Sequence, residues 1–193
     1  AYDNIILGKR AGGQLTTGFR NVAVGNDCLY ASTDVDKTVI IGADACTQVL
    51  TSAADGTIAI GFAALTALTS GAGNTAIGFQ SLDANDTGNS HTAVGHTALG
   101  ATNGAKHGAT AIGYKALHQN VSGATNDYSV AVGFESGDNQ TTGYQNTFLG
   151  ASTTGNDASA ANQIVIGYHA AGTGDNYAVI GNDSIERVYM GDD

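Results

Sequence analysis

The chain is organised around one short stretch, Asn74-Thr-Ala-Ile-Gly78-Phe-Gln-Ser-Leu82, which recurs in variant form along its whole length. In every copy a β-branched or aliphatic residue is followed at once by glycine. The glycines that mark the copies are Gly8, Gly25, Gly42, Gly61, Gly78, Gly95, Gly113, Gly133, Gly150, Gly167 and Gly181. Their spacing runs from 14 to 20 residues, and six of the ten steps are 17 residues. This period is too short for propeller blades or helical pairs, and it predicts the coils of a β-solenoid.

Positions in the repeat are counted from this glycine, which is position 0. Position −1 is never polar, and position −3 lies on the same face of a strand because side chains alternate with a period of two. The pattern therefore predicts that position −1 forms the core of each coil. The predicted core residues are Val24, Ile41, Ile60, Ile77, Val94, Ile112, Val132, Leu149, Ile166 and Ile180.

Position −2 points the opposite way and is usually alanine, with larger residues such as Ile6, Phe148 and Val165 toward the two ends. A strand that is apolar on both faces needs cover on both. We expect another copy of the chain to supply the second cover. The predicted trimer-facing residues are Ala23, Ala59, Ala76, Ala93, Ala111 and Ala131.

A weaker apolar signal at positions +3 and +4, as in Ala64-Leu65 and Ala98-Leu99, indicates the return strand of each coil. Cys28 and Cys46 occupy these two positions in successive coils, so alternation predicts that their side chains face opposite ways. The repeat is unbroken, and residues 1–193 are predicted to form one elongated, all-β solenoid domain of about eleven short coils.

Composition excludes several classes of function. Seventeen acidic against seven basic residues give a net charge of −10, which argues against binding to nucleic acid or anionic membranes. No apolar run approaches the roughly 18 residues of a membrane span, and Ala1 begins no signal-peptide pattern. We expect no membrane insertion and no nucleic-acid partner.

Two units resemble known repeats: residues 74–82, quoted above, and Ala109-Thr-Ala-Ile-Gly113-Tyr-Lys-Ala-Leu117. They are similar to the head repeats of trimeric autotransporter adhesins, and in their length to the repeats of bacteriophage tail-fibre proteins. The resemblance spans the chain and implies a left-handed parallel β-roll in which three chains pack around a common axis. The segment from Ile164 to Gly191 looks like the close of a phage fibre shaft just before a self-cleaving chaperone domain, which favours the viral family.

The resemblance implies a structural shaft and receptor-binding segment of a tail fibre on the virion, which mediates host attachment. Its expected partners are two further copies of the chain, a host cell-surface glycan or protein receptor, and other tail components. The head of a bacterial trimeric autotransporter adhesin, on the bacterial surface, is the alternative. A monomeric ice- or glycan-binding solenoid is a third hypothesis, because Thr75, Thr92 and Thr110 form a regular ladder.

Position +1 holds an aromatic strip that suggests either glycan stacking or packing between protomers. Its residues are Phe62, Phe79, Tyr114, Phe134 and Tyr168, with His96 in the same register. The five histidines, His91, His96, His107, His118 and His169, include no His-x-His pair and are expected to pack rather than to bind metal. Only Glu135 and Glu186 are glutamates, and they lie about three coils apart. We therefore expect no enzyme activity, no catalytic residues, no metal and no cofactor.

Overall fold

Each copy of the repeat forms one three-residue β-strand in the computed structural model of the chain. The structure describes residues 1–103, 107–120 and 128–188. One 3₁₀ turn, Ser52–Ala54, precedes β4. The strands are β1 (Ile5–Leu7), β2 (Val22–Val24), β3 (Val39–Ile41), β4 (Ile58–Ile60), β5 (Thr75–Ile77), β6 (Thr92–Val94), β7 (Thr110–Ile112), β8 (Val130–Val132), β9 (Thr147–Leu149), β10 (Ile164–Ile166) and β11 (Ala178–Ile180).

The eleven strands form a single parallel sheet whose spatial order is the order of the chain. Equivalent positions pair in register, so Thr75 lies beside Thr92, Ala76 beside Ala93 and Ile77 beside Val94. Because each strand pairs with its neighbour one repeat away, the backbone advances by one coil for each glycine, and about ten turns join the eleven strands. The prediction of an all-β parallel solenoid is confirmed.

The structure reverses the two predicted faces of the strand. All six alanines predicted to face a trimer, Ala23, Ala59, Ala76, Ala93, Ala111 and Ala131, are completely buried inside the coil of their own chain. The predicted core residues point outward instead. Ile77, Ile112, Leu149 and Ile180 are exposed, and Val24, Ile41, Ile60, Val94, Val132 and Ile166 are only partly buried. Both assignments were wrong, because position −2 is the inward position of the strand.

Side-chain volume explains why alanine faces inward. The strand packs against the residue at position +4, which is leucine in Leu29, Leu65, Leu82, Leu99 and Leu117, all buried. Position +4 is glycine at Gly12 and Gly137, and a large strand residue fills the space there: Ile6 of the same coil beside Gly12, and Phe148 of the following coil beside Gly137. A Cβ on Gly137 would lie 2.7 Å from the ring of Phe148, and one on Gly12 would lie 2.9 Å from Ile6. Large and small residues from the strand and the +4 position therefore complement one another, within a coil or between neighbouring coils, to fill a narrow core.

The segment after each glycine is a run of turns and not the predicted return strand. Residues at +2 and +4 adopt left-handed backbone angles, as in Thr97 (φ 51°) and Leu99 (φ 51°). This geometry turns both +3 and +4 inward, so Cys28 and Cys46 are both buried. The prediction that they face opposite ways was wrong because strand alternation does not apply to this segment. Both thiols are free, and burial raises the pKa of Cys46 far above its usual range.

A buried polar column at position −4 fixes the spacing of the coils. The Asn21 side chain accepts a hydrogen bond from the Thr38 backbone N–H at 2.9 Å, and Asn74 does the same for His91 at 3.0 Å. The His91 Nδ1 atom in turn accepts from the Ala109 backbone N–H at 3.2 Å. These residues satisfy backbone donors at the entry to each strand, where an unpaired buried N–H would be costly.

Candidate binding surface

The outward side chains at −3 and −1 form a largely apolar, uncharged face along all eleven strands, in which four of the −3 residues are threonine. Its exposed members include Ile5 (64%), Leu7 (67%), Leu149 (47%) and Ile164 (46%). With parallel strands about 4.8 Å apart, the face is about 50 Å long and two side-chain columns wide, an area on the order of 500 Å². Soluble monomers rarely expose contiguous apolar patches of more than a few hundred Å². This face is the candidate interaction surface of the protein.

A ladder of stacked rings borders this face at position +1. Successive ring centroids lie 5.4 Å apart from Phe62 to Phe79, 4.9 Å from Phe79 to His96, 5.3 Å from His96 to Tyr114, and 5.0 Å from Tyr114 to Phe134. The interplanar angles are 6° to 21°. The faces of the inner rings therefore contact one another, and these rings present mainly their edges to solvent.

The ladder holds four of the five predicted strip residues, and His96 completes it. Tyr168 is separate from the ladder because Ala151 occupies the intervening coil, and its ring packs edge-on against His169 at 4.2 Å. The sequence indicated the column but not the face-to-face stacking. That stacking follows from the in-register coils, whose spacing matches the preferred separation of aromatic pairs.

A polar column at position +5 brings together charged groups that the sequence did not single out. The His118 Nδ1–H donates to the Thr97 carbonyl at 3.2 Å. The His118 ring also interacts electrostatically with the carboxyl groups of Asp83 and Asp138. Partial burial raises the pKa of both carboxyl groups, and His118 partly opposes the rise. Of the other histidines, His91 is buried in the coil, whereas His96 and His169 are exposed and pack against the outer rings. His107 Nδ1 accepts from the Asn89 backbone N–H at 3.2 Å.

Asp138→Asn should raise the free energy of unfolding at neutral pH by up to about 1 kcal/mol, because partial burial penalises the charged carboxylate and the neutral amide avoids that penalty. The folded-state pKa of Asp138 is raised, so its destabilising effect is absent below the unfolded-state pKa and grows as pH increases through the folded-state value. The gain should therefore disappear in acid, as measured by urea unfolding at several pH values.

The control is Asp157→Asn, which should have the opposite sign. The Ser159 hydroxyl and backbone N–H donate to Asp157 Oδ1, both at 2.8 Å, and lower its pKa. Its stabilising effect is present at neutral pH and is lost as pH falls through the lowered folded-state pKa. Equal pH profiles for the two variants would contradict this account of the carboxylates.

Within the described residues, no three His, Cys, Asp or Glu side chains are grouped so that they could hold a metal ion. A cleft of about 590 Å³ lies between the last two coils, where His169, Val179 and Asp183 are among its walls.

The fold and its outer face define a parallel β-solenoid with one long apolar side and an adjoining aromatic ladder. No protein-family model, curated protein or solved structure matches the chain. In the part of the chain that the structure describes, no helix is long and apolar enough to cross a membrane.

Proposed function

We propose that the chain is the shaft and receptor-binding segment of a bacteriophage tail fibre, in which three copies form a non-enzymatic rod that mediates host attachment. The observation that supports this proposal most is the apolar face formed by positions −3 and −1. It extends over every coil and is interrupted by no charged residue. Three such faces turned toward a common axis would cover one another, as the resemblance to trimeric β-rolls implies.

Backbone hydrogen bonds between successive coils make the solenoid suited to form a rigid rod. Strand-to-strand backbone hydrogen bonds run from coil to coil, for example from Gly78 N–H to the Ile60 carbonyl at 2.8 Å and from Gly95 N–H to the Ile77 carbonyl at 2.8 Å. A rod held by such bonds resists bending because every coil is fixed by the coils on both sides. Three chains would also present three copies of any receptor site, which raises avidity through effective concentration.

A second candidate function is a monomeric ice- or glycan-binding solenoid, and one observation favours it. The side chains of Thr75, Thr92 and Thr110 lie on the outer face and not in the core, in register on adjacent strands at position −3. A flat, regular array of threonine methyl and hydroxyl groups suits binding to an ordered surface. The bacterial adhesin head shares the trimeric architecture and differs from the fibre in its biological setting.

The native mass of the purified chain decides between these functions. We expect light scattering coupled to size exclusion to give about three times the 19.3 kDa protomer mass. A monomer with thermal hysteresis of ice growth would favour the ice-binding solenoid and contradict the fibre. A monomer without it would contradict the fibre and the ice-binding form, and would leave a monomeric glycan-binding solenoid.

A further inference from the structure

The aromatic ladder stops where alanine replaces a ring. Position +1 reads Tyr114, Phe134, Ala151 and Tyr168 in four successive coils. Backbone hydrogen bonds show that these coils stay in register, since Ser152 N–H donates to the Phe134 carbonyl at 2.7 Å and His169 N–H donates to the Ala151 carbonyl at 3.0 Å. One ring is therefore missing between Phe134 and Tyr168.

The two rings on either side of Ala151 are more exposed than the inner rings of the ladder. Phe134 is 51% exposed and Tyr168 is 67% exposed, whereas the inner rings Phe79 and Tyr114 are 43% and 38% exposed. Phe134 stacks on Tyr114 on one side only, and no other described ring stacks on it. The other side of Phe134 thus looks into the space above Ala151.

The space has the height of one additional ring. Two coil spacings of about 4.8 Å separate the levels of Phe134 and Tyr168 by about 10 Å, which leaves about 5 Å on each side of a ring placed midway. This is the spacing of the rings within the ladder, 4.9 to 5.4 Å, so a six-membered ring fits the gap. A pyranose chair, which is slightly thicker because it is puckered and has hydrogens on both faces, fits it as well.

Polar groups flank the space at position +2. Side chains at this position lie against the ring of their own coil, as when Lys115 Nζ lies 5.5 Å from the Tyr114 ring centroid and Thr97 Oγ1 lies 3.4 Å from His96 Nδ1. By the same register, three polar side chains at position +2 border the space. Ser152 belongs to the coil of Ala151, Glu135 to the coil before it and His169 to the coil after it. A carboxylate, a hydroxyl and an imidazole next to apolar walls are the groups that orient a polyhydroxyl ligand.

We propose that the space above Ala151, bounded by Phe134 and Tyr168, is a binding slot for one neutral hexopyranose ring. The net charge of −10 and the adjacent Glu135 disfavour anionic sugars. The assignment of the ligand to a host glycan rests on the proposed attachment function. The geometry of the slot is independent of that function. Ala151 is the floor of the slot, and its small side chain is what keeps it open.

The test uses methyl β-D-glucopyranoside and methyl β-D-galactopyranoside as probes, with NMR saturation transfer from the protein's aromatic protons to the sugar. We expect transfer to at least one sugar with the unmodified chain. Ala151→Tyr should reduce it at least ten-fold, because the new ring occupies the slot as Tyr114 occupies its own level. Tyr168→Ala, which inserts nothing, should also weaken it.

Ala43→Tyr is the matched control. Ala43 occupies the equivalent level below Phe62, but the next residue of that column is Asn26 and not an aromatic ring. This variant should retain the transfer seen with the unmodified chain.

Three outcomes would overturn the slot: no transfer to either sugar, equal transfer with Ala151→Tyr and with the unmodified chain, or a change of native mass with Ala151→Tyr. The last outcome would place the slot in a subunit interface. A trimeric mass without sugar binding would refute the slot and leave the proposed shaft function standing.

Discussion

Gly95→Ala is expected to prevent folding of the solenoid, with a loss of more than about 4 kcal/mol of stability. A Cβ at this position would lie 2.3 Å from the carbonyl oxygen of Gly113 in the next coil. Backbone atoms cannot yield as a flexible side chain can, because Gly113 is itself held by a hydrogen bond from its N–H to the Val94 carbonyl at 2.8 Å. In addition, φ at Gly95 is 140°, in a region that is almost closed to other residues.

Gly73→Ala is the control for this prediction. Gly73 also has a positive φ, of 69°, but a Cβ there would meet no atom within 4 Å. Gly73→Ala should therefore lower the free energy of unfolding only by the strain of an alanine in a left-handed conformation, about 1 to 2 kcal/mol. Urea unfolding followed by circular dichroism compares the two variants, and similar midpoints would show that the contact between coils is not what requires glycine.

If the proposed trimer forms, lysine substitutions at Ile77 and Ile112 together are expected to give folded monomers instead. Both side chains lie on the apolar face, 37% and 40% exposed, so a charge there costs little in an isolated chain. In a trimer the same charges would be buried against apolar neighbours, at a penalty of several kcal/mol for each unpaired ion. Light scattering should show a mass near one protomer, and the far-ultraviolet circular dichroism spectrum should be unchanged.

Glutamate substitutions at Ala76 and Ala93 together serve as the contrast. Both alanines are fully buried and pair directly in the sheet, so two carboxylates would be forced into the core side by side. This variant should fail to fold. A folded, monomeric double glutamate variant, or a trimeric double lysine variant, would mean that the subunit interface lies on another surface.

The period of the repeat was sufficient to predict a β-solenoid with one strand before each glycine, and the resemblance implied that the strands are parallel. The period was not sufficient to predict which face is inside, because positions −3, −2 and −1 are all largely apolar. The signal that resolves the ambiguity is a correlation in size. Position −2 is alanine in all five coils whose +4 residue is leucine, and the space beside Gly12 and Gly137 is filled by Ile6 of the same coil and by Phe148 of the following coil. Positions −1 and −3 show no such dependence, as expected of side chains outside the coil.

The candidate site was only partly predictable for a similar reason. The aromatic column is visible in the sequence, and so is the alanine at residue 151. That the rings stack, and that Ala151 leaves a space of ring height, depends on coils of unequal length returning to the same register. Insertions such as the 20-residue step between Gly113 and Gly133 are accommodated elsewhere, since Glu135 N–H still donates to the Tyr114 carbonyl at 2.8 Å.

The stacking of like residue on like residue makes the length of this rod adjustable in discrete units. Removing residues 79–95 would delete one complete coil and bring Gly78 directly before His96, so that every column continues unbroken. Duplication of the same 17 residues would lengthen the rod by about 4.8 Å without creating a new kind of contact. Gene duplication or slippage in multiples of the repeat can therefore change how far such a rod reaches, while its cross-section and its outer face stay the same.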